Sequence, residues 1–138
     1  MKRGFTLLEL ITVVIIIGIL ATIAVPQFFK VAERGRAAEA INLLGSIRSA
    51  QLRYCAEHAR VTDNFSELDV ETTGNPRFFT LAPLGNANPS NDTPVAQATR
   101  NDVSNFNYGN YVLQIQFDGD ITCSGGRGNV CTMLGYGS

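Results

Sequence analysis

The sequence predicts an α+β protein: one long amino-terminal helix forms the spine, and a small antiparallel sheet packs on its second half as a head. Three observations carry this. Residues 5–29 are almost wholly apolar, residues 30–57 continue as an amphipathic helix former, and residues 111–118 alternate as a half-buried strand before an Asp-Gly turn. At 138 residues the chain supports one modest core.

Between Phe5 and Phe29 the strongly polar side chains are Thr6, Glu9, Thr12, Thr22 and Gln27 alone. A bilayer-crossing helix needs roughly 17–25 mostly apolar residues, and this stretch meets that length. The sequence holds no second stretch of the kind, so it implies at most one crossing. Met1-Lys2-Arg3-Gly4 precedes it, and the two bases place the amino terminus on the cytoplasmic side. The remainder would then lie outside, where disulfides persist; Cys55, Cys123 and Cys131 fit that placement.

After Lys30 the chain is rich in Ala, Glu, Arg and Leu, all good helix formers. Leu43, Ile47, Ala50 and Tyr54 recur at helical spacing, with Ala37, Ile41 and Leu44 beside them, and Arg36, Glu39, Asn42, Arg48 and Arg53 take other positions. The pattern predicts one helix from about Phe5 to about Glu57, on the order of 80 Å long at 1.5 Å per residue. Pro26 removes a backbone donor and is expected to loosen or kink the preceding turn, and Gly18 is a second pliable point.

Residues 58–109 are punctuated by Gly74, Pro76, Pro83, Gly85, Pro89, Pro94 and Gly109 and read as a long irregular connection. One strand is expected at Arg77–Leu81, and Ala87–Arg100 is expected to be an exposed flap. Tyr111, Leu113, Ile115 and Phe117 then alternate with Val112, Gln114, Gln116 and Asp118. Asp118-Gly119 supplies a tight turn, and Asp120–Cys123 returns as the antiparallel partner. A glycine-rich loop, Ser124–Asn129, leads to a last expected strand around Val130–Leu134. The sheet is expected to pack on the Leu43–Tyr54 stripe.

Charge is uneven although the total is near zero. Residues 30–60 carry six bases (Lys30, Arg34, Arg36, Arg48, Arg53, Arg60) against three acids (Glu33, Glu39, Glu57). Residues 61–138 carry three bases (Arg77, Arg100, Arg127) against eight acids (Asp63, Glu67, Asp69, Glu71, Asp92, Asp102, Asp118, Asp120). A basic stem and acidic head could guide subunits together or be two solvated surfaces.

The amino terminus, Lys2-Arg3-Gly4-Phe5-Thr6-Leu7-Leu8-Glu9-Leu10-Ile11, resembles the processing site of type IV prepilins. It has a short basic leader, Gly before the cut, Phe then Thr after it, and Glu five residues into the mature chain. The likeness extends over about the first 55 residues and covers the head only in architecture. It implies the type IV pilin fold, with a membrane prepilin peptidase cutting between Gly4 and Phe5 and methylating the Phe5 amine. It further implies that Glu9 pairs with the Phe5 amine, its own or a neighbour's, as subunits enter a helical homopolymer. Residues 1–4 would be the leader, 5–29 the membrane and filament-core segment, 30–57 the amphipathic half of the helix and 58–138 the head, a loop region 58–109 followed by the sheet and disulfide loop 110–138.

Physical chemistry supports each element of that likeness. Glycine at the cut allows a protease to approach the backbone without side-chain interference. Removing Lys2 and Arg3 frees the chain for extraction from the membrane. A carboxylate at mid-membrane costs roughly 2.5–3.5 kcal/mol on insertion scales, so Glu9 calls for a role, although its own helix dipole also favours an acid in the first turn. Three cysteines allow three pairings. Cys123 and Cys131 flank a seven-residue loop, Ser124–Val130, which resembles the carboxyl-terminal disulfide loop of pilins and would stabilise by roughly 2–3 kcal/mol. Cys55 would then be a buried thiol on the inner helix face, or a partner in an alternative bond.

The resemblance implies an inner-membrane precursor and then an extracellular filament for attachment, motility or DNA uptake. The implied partners are further copies of the chain, the peptidase, and the pilus assembly platform and motor; nucleic acid is not indicated, nor is any cofactor. Asp118 and Asp120 around Gly119 read more simply as a turn than as a calcium site. His58 reads as a solvent residue at the helix end, and Asn64-Phe-Ser and Asn91-Asp-Thr match glycosylation sequons. No catalytic constellation or nucleotide-binding loop is present in the sequence. Two other readings are a pseudopilin or minor pilin of a secretion or competence machine, and a secreted binding protein cut after Thr22-Ile23-Ala24. Glu9 within the apolar run and Pro26 just beyond argue against the second.

Overall fold

The computed structural model describes Met1 and residues 4–70, 76–101 and 108–137. Lys2, Arg3, Glu71, Gly74 and Asp102, which enter the reading above, lie outside the described residues. The chain divides into two units, Met1–Arg34 and Gly35–Ser138.

Helix α1 spans Leu7–His58, close to the expected bounds. It continues through Gly18 and through Pro26, which has no N–H to give the Thr22 carbonyl. It stops where Ala59 turns left-handed, φ 56°, and its N–H bonds the Cys55 carbonyl at 2.8 Å.

In the second unit the residues of α1 from Gly35 onward pack on a four-stranded antiparallel sheet. Its strands are β1 (Phe79–Pro83), β2 (Pro94–Arg100), β3 (Tyr111–Gln116) and β4 (Ile121–Gly125), in spatial order β1-β2-β3-β4. The buried helix positions from Gly35 onward are Ala37, Ala40, Leu44, Ile47, Ala50, Gln51 and Tyr54, steps of three and four with Ala50 beside Gln51, which keep one face toward the sheet. Leu43, expected at the centre of that face, is only half-buried, whereas Leu44 is fully buried. From the sheet come Phe79, Val95, Ala98, Tyr111, Leu113 and Ile115. Tyr111, Leu113 and Ile115 are the inward positions of the alternation read from the sequence, with an edge-to-face contact between Phe79 and Tyr111 at 5.8 Å.

Three expectations are corrected. The described residues of the stretch 58–109 hold a 3-10 turn, Phe65–Glu67, and two strands where one was expected, and β1 begins two residues later than expected. The second half of the expected Ala87–Arg100 flap is β2, a central strand bonded to both neighbours. Its sequence, Pro-Val-Ala-Gln-Ala-Thr-Arg, has little β-propensity; small Ala96 and Ala98 succeed there because they are fully buried in the core. An irregularity between Pro94 and Ala96 breaks the alternation, which hid the period. Finally, Val130–Leu134 is not a strand but one helical turn, α2. Left-handed Asn129 before it and Gly135 after it bracket the turn, and the Gly135 N–H bonds the Cys131 and Thr132 carbonyls.

Cys123 on β4 and Cys131 on α2 are disulfide-bonded with Cα atoms 5.5 Å apart. Cys55, expected to be a buried thiol on the inner helix face or a partner in an alternative bond, is a free thiol, half-buried and packed against the core.

Gln51 is the polar member of the buried helix face. Its Oε1 accepts the Thr62 N–H at 3.0 Å, and its Nε2 donates to the carbonyls of Thr62 at 2.6 Å and Val95 at 3.1 Å. One amide thus ties the helix to the returning chain and to the central strand, satisfying the Thr62 N–H and carbonyl and adding a second donor to the Val95 carbonyl, which also accepts the Leu84 N–H.

Candidate functional site in the amino-terminal helix

None of the described residues of the first unit belongs to the hydrophobic core. Phe5 is 90% exposed, Leu8 76%, Ile16 52% and Ile23 66%, and Gly4 is likewise exposed. The best 18-residue window of α1 has a mean hydropathy of 2.7 and is 0% buried, so by length and composition this helix can cross a membrane. Burying one Leu or Ile side chain gains about 1.5–3 kcal/mol, so a dozen such side chains make water an unfavourable environment by tens of kcal/mol.

Two hydroxyls within the apolar run are turned onto the helix's own backbone. Thr12 Oγ1 donates to the Leu8 carbonyl at 2.8 Å and Thr22 Oγ1 to that of Ile19 at 2.6 Å, so neither hydroxyl is left bare in an apolar medium. Thr22 thus sits one turn before Pro26. No atom outside its own helix comes within 4 Å of a side chain built at Gly18, nor does any atom approach one built at Gly4.

Glu9 sits in the first turn of α1, bonded in a reciprocal pattern with Thr6. The Thr6 N–H and Oγ1 each donate to Glu9 Oε2 at 2.9 Å, and the Glu9 N–H donates to Thr6 Oγ1 at 3.2 Å. This capping box satisfies donors that a helix start leaves unpaired, and it fixes the carboxylate one turn from Phe5. Thr6 is therefore a site residue that the reading of Glu9 alone missed. Its signal, Thr-x-x-Glu ahead of an apolar run, is present in the sequence.

Comparison with known proteins meets the same segment. Residues 1–25 match the family described as the prokaryotic N-terminal methylation motif. The chain is 45% identical over 67 residues to the type IV major pilin protein PilA of Myxococcus xanthus (strain DK1622), covering 49% of this chain and 30% of that protein. It is 38% identical over 70 residues to a type IV major pilin protein PilE1 of Neisseria gonorrhoeae, covering 51% of this chain and 42% of that protein. Its amino-terminal half is type IV pilin-like. A fimbrial protein, EcpC of Eikenella corrodens, matches at 43% over 56 residues, or 41% of this chain and 37% of that one. The matched region spans less than half of each of these relatives. No solved structure matches the chain.

The pilin-like segment and the architecture of the second unit agree: a helix packed on a four-stranded antiparallel sheet, closed by a carboxyl-terminal disulfide, is the type IV pilin arrangement implied by the sequence. The expected site residues fall into two places. Gly4, Phe5, Glu9, Gly18 and Pro26 lie along the exposed apolar unit, and Cys123 and Cys131 close a loop in the other.

Proposed function

We propose that the chain is a structural subunit of a type IV pilus, polymerised through its amino-terminal helix into an extracellular filament. The observation that carries this reading is an apolar helix exposed along its length, opening with a methylation motif and a capped carboxylate. Such a surface requires lipid first and sister helices later.

In this reading Gly4–Phe5 is the bond cut by a prepilin peptidase and Phe5 the residue methylated. Glu9 is the acceptor for a Phe5 amine during assembly, and the Thr6 cap keeps that carboxylate bonded until an amine arrives. Gly18 and Pro26 give the packed helix room to adjust. The precursor sits once across the inner membrane with its leader in the cytoplasm, and the assembly platform and motor extract it.

The test is to express the chain in cells with a pilus assembly machine, shear the surface and image what is released. Filaments containing this chain support the reading, and Gly4→Leu should leave full-length precursor in the membrane and no filaments. Confinement of the wild-type chain to envelope fractions would overturn it.

A further inference from the structure

Filament assembly makes no use of the two sequons at Asn64 and Asn91, and the fold treats them oppositely. At the first, Asn64 and Ser66 are both exposed, on a turn between buried Thr62 and buried Leu68. Asn64 commits its N–H to Thr62 Oγ1 at 3.1 Å and its carbonyl to the Glu67 N–H at 3.2 Å. Its Oδ1 accepts both the Ser66 N–H, at 3.1 Å, and the Ser66 hydroxyl, at 2.8 Å. A backbone N–H can only donate, so the side-chain atom that meets it is the oxygen. The amide nitrogen, Nδ2, donates to no group among the described residues.

At the second sequon Asn91 is exposed but Thr93 is buried. Thr93 Oγ1 accepts the Ser90 N–H at 2.8 Å and shares a hydrogen bond with the Ser90 hydroxyl at 3.1 Å. The Thr93 N–H donates to the Ser90 carbonyl at 2.9 Å, and its carbonyl accepts the Phe117 N–H at 2.8 Å. Asn91 is itself tied to the β3–β4 turn, its carbonyl accepting the Asp118 N–H at 3.2 Å. The folded chain therefore presents one complete sequon and withholds the hydroxyl of the other.

The bonds at Asn64 have a chemical consequence. A carboxamide nitrogen is a poor nucleophile, because its lone pair is shared with the carbonyl. Two donors on Oδ1 stabilise negative charge on that oxygen and so make the Nδ2 protons more acidic. Once a base takes one of them, the nitrogen can form a new bond.

We propose that Asn64 is an N-glycosylation acceptor whose donor is a saccharide carried on a lipid pyrophosphate. Nδ2 bonds to the anomeric carbon, the bond from that carbon to the pyrophosphate oxygen breaks, and the lipid pyrophosphate leaves with the electron pair. The Nδ2 proton passes to a carboxylate of the transferase, and nothing is oxidised or reduced. Ser66 is a positioning residue, its N–H and hydroxyl holding Oδ1. The proposal rests on the subunit reading above in one respect: α1 holds the precursor in a membrane with residue 64 outside the cytoplasm, and a lipid-linked donor shares that membrane.

The test is peptide mass spectrometry of the full-length chain from cells holding a transferase for Asn-x-Ser/Thr and its lipid-pyrophosphate-linked saccharide, beside cells without the transferase. Trypsin cuts after Arg60, Arg77 and Arg100 and so places the two sequons in separate peptides. Saccharide mass on Asn64 that depends on the transferase is expected, with Asn91 occupied about tenfold less or lower. Ser66→Ala should lower Asn64 occupancy about tenfold or more, and Ser66→Thr should keep it within about threefold, both at unchanged membrane levels of the chain. Asn64→Asp keeps an oxygen for the Ser66 donors but removes the nitrogen, and it should abolish the saccharide. A bare Asn64 in cells that modify a control protein with an exposed sequon would overturn the proposal. Saccharide on the Ser66 hydroxyl, or Asn91 occupied as fully as Asn64, would overturn it too. Filaments built from chains with bare Asn64 end this proposal alone, whereas a modified chain that never leaves the envelope ends the pilus reading alone.

Discussion

The two units of this chain solve opposite problems with the same helix. From Phe5 to Val25 large apolar side chains are exposed, and Thr6, Glu9, Thr12 and Thr22 bond to groups of their own segment. Residues after Gly35 bury a narrow apolar face against a sheet and send charge outward. The difference teaches that the first unit's stability belongs to an assembly or a bilayer, while the second carries ordinary intrachain stability.

The comparison breaks most visibly if the first unit can lose its charge without consequence. Glu9→Ala should leave membrane insertion intact and reduce filament recovery by about tenfold or more, since an unpaired amine in an apolar bundle costs several kcal/mol. Immunoblots of membrane and sheared fractions read both arms. Normal filaments from this variant would show that the carboxylate is dispensable.

In the second unit the largest expected loss comes from Gln51→Leu. It strands the Thr62 N–H and the Thr62 carbonyl in the core and removes one of the two donors to the Val95 carbonyl, and unsatisfied buried groups cost about 1–3 kcal/mol each. Urea unfolding of the full chain in detergent should register a loss of about 3 kcal/mol, with filament loss only as far as folded chain is depleted. Cys123→Ser comes next, with a loss of about 2–3 kcal/mol from reopening a short loop. Ala59→Gly should act in the other direction, by about 0.5–1 kcal/mol, because Ala59 holds φ 56° at the helix end.

Acid should distinguish the units as well. Hydrogen bonds first from Thr62 and then from Tyr54 hold the Glu67 carboxyl below its ordinary 4.5. The unfolded chain therefore takes up that proton first as pH falls. The stability this gives is whole above about 4.5 and is lost as pH drops through the depressed folded value. Tyr54 mirrors this at the alkaline end. Its hydroxyl, donating to Glu67, titrates above its ordinary 10.0, so the contribution is whole below that value and fades as pH rises through the raised one. Glu67→Gln should flatten the acid limb of a stability–pH curve measured by urea midpoints.

What the sequence disclosed follows the same division. The apolar run, the motif around Gly4–Phe5 and Glu9 were legible because each is local: composition, spacing and one misplaced charge suffice. The helix and the β3 alternation were legible for the same reason, since their periods survive in Tyr111, Leu113 and Ile115. Strand β2 was not, because its identity comes from neighbours. Ala96 and Ala98 fit a tight space that only the assembled core defines, and the irregularity after Pro94 erases the period. The turn Val130–Leu134 was misread because a five-residue apolar run has no period long enough to separate strand from helix. Gln51 was passed over among apolar neighbours, its partners lying 11 and 44 residues away.

The most direct test of the contrast between the units is the mass of the amino-terminal peptide from the chain recovered in sheared filaments. A peptide beginning at Phe5 and heavier by one methyl group is the predicted result. A peptide beginning at Val25, or the unprocessed Met1 terminus in the filaments, would contradict it.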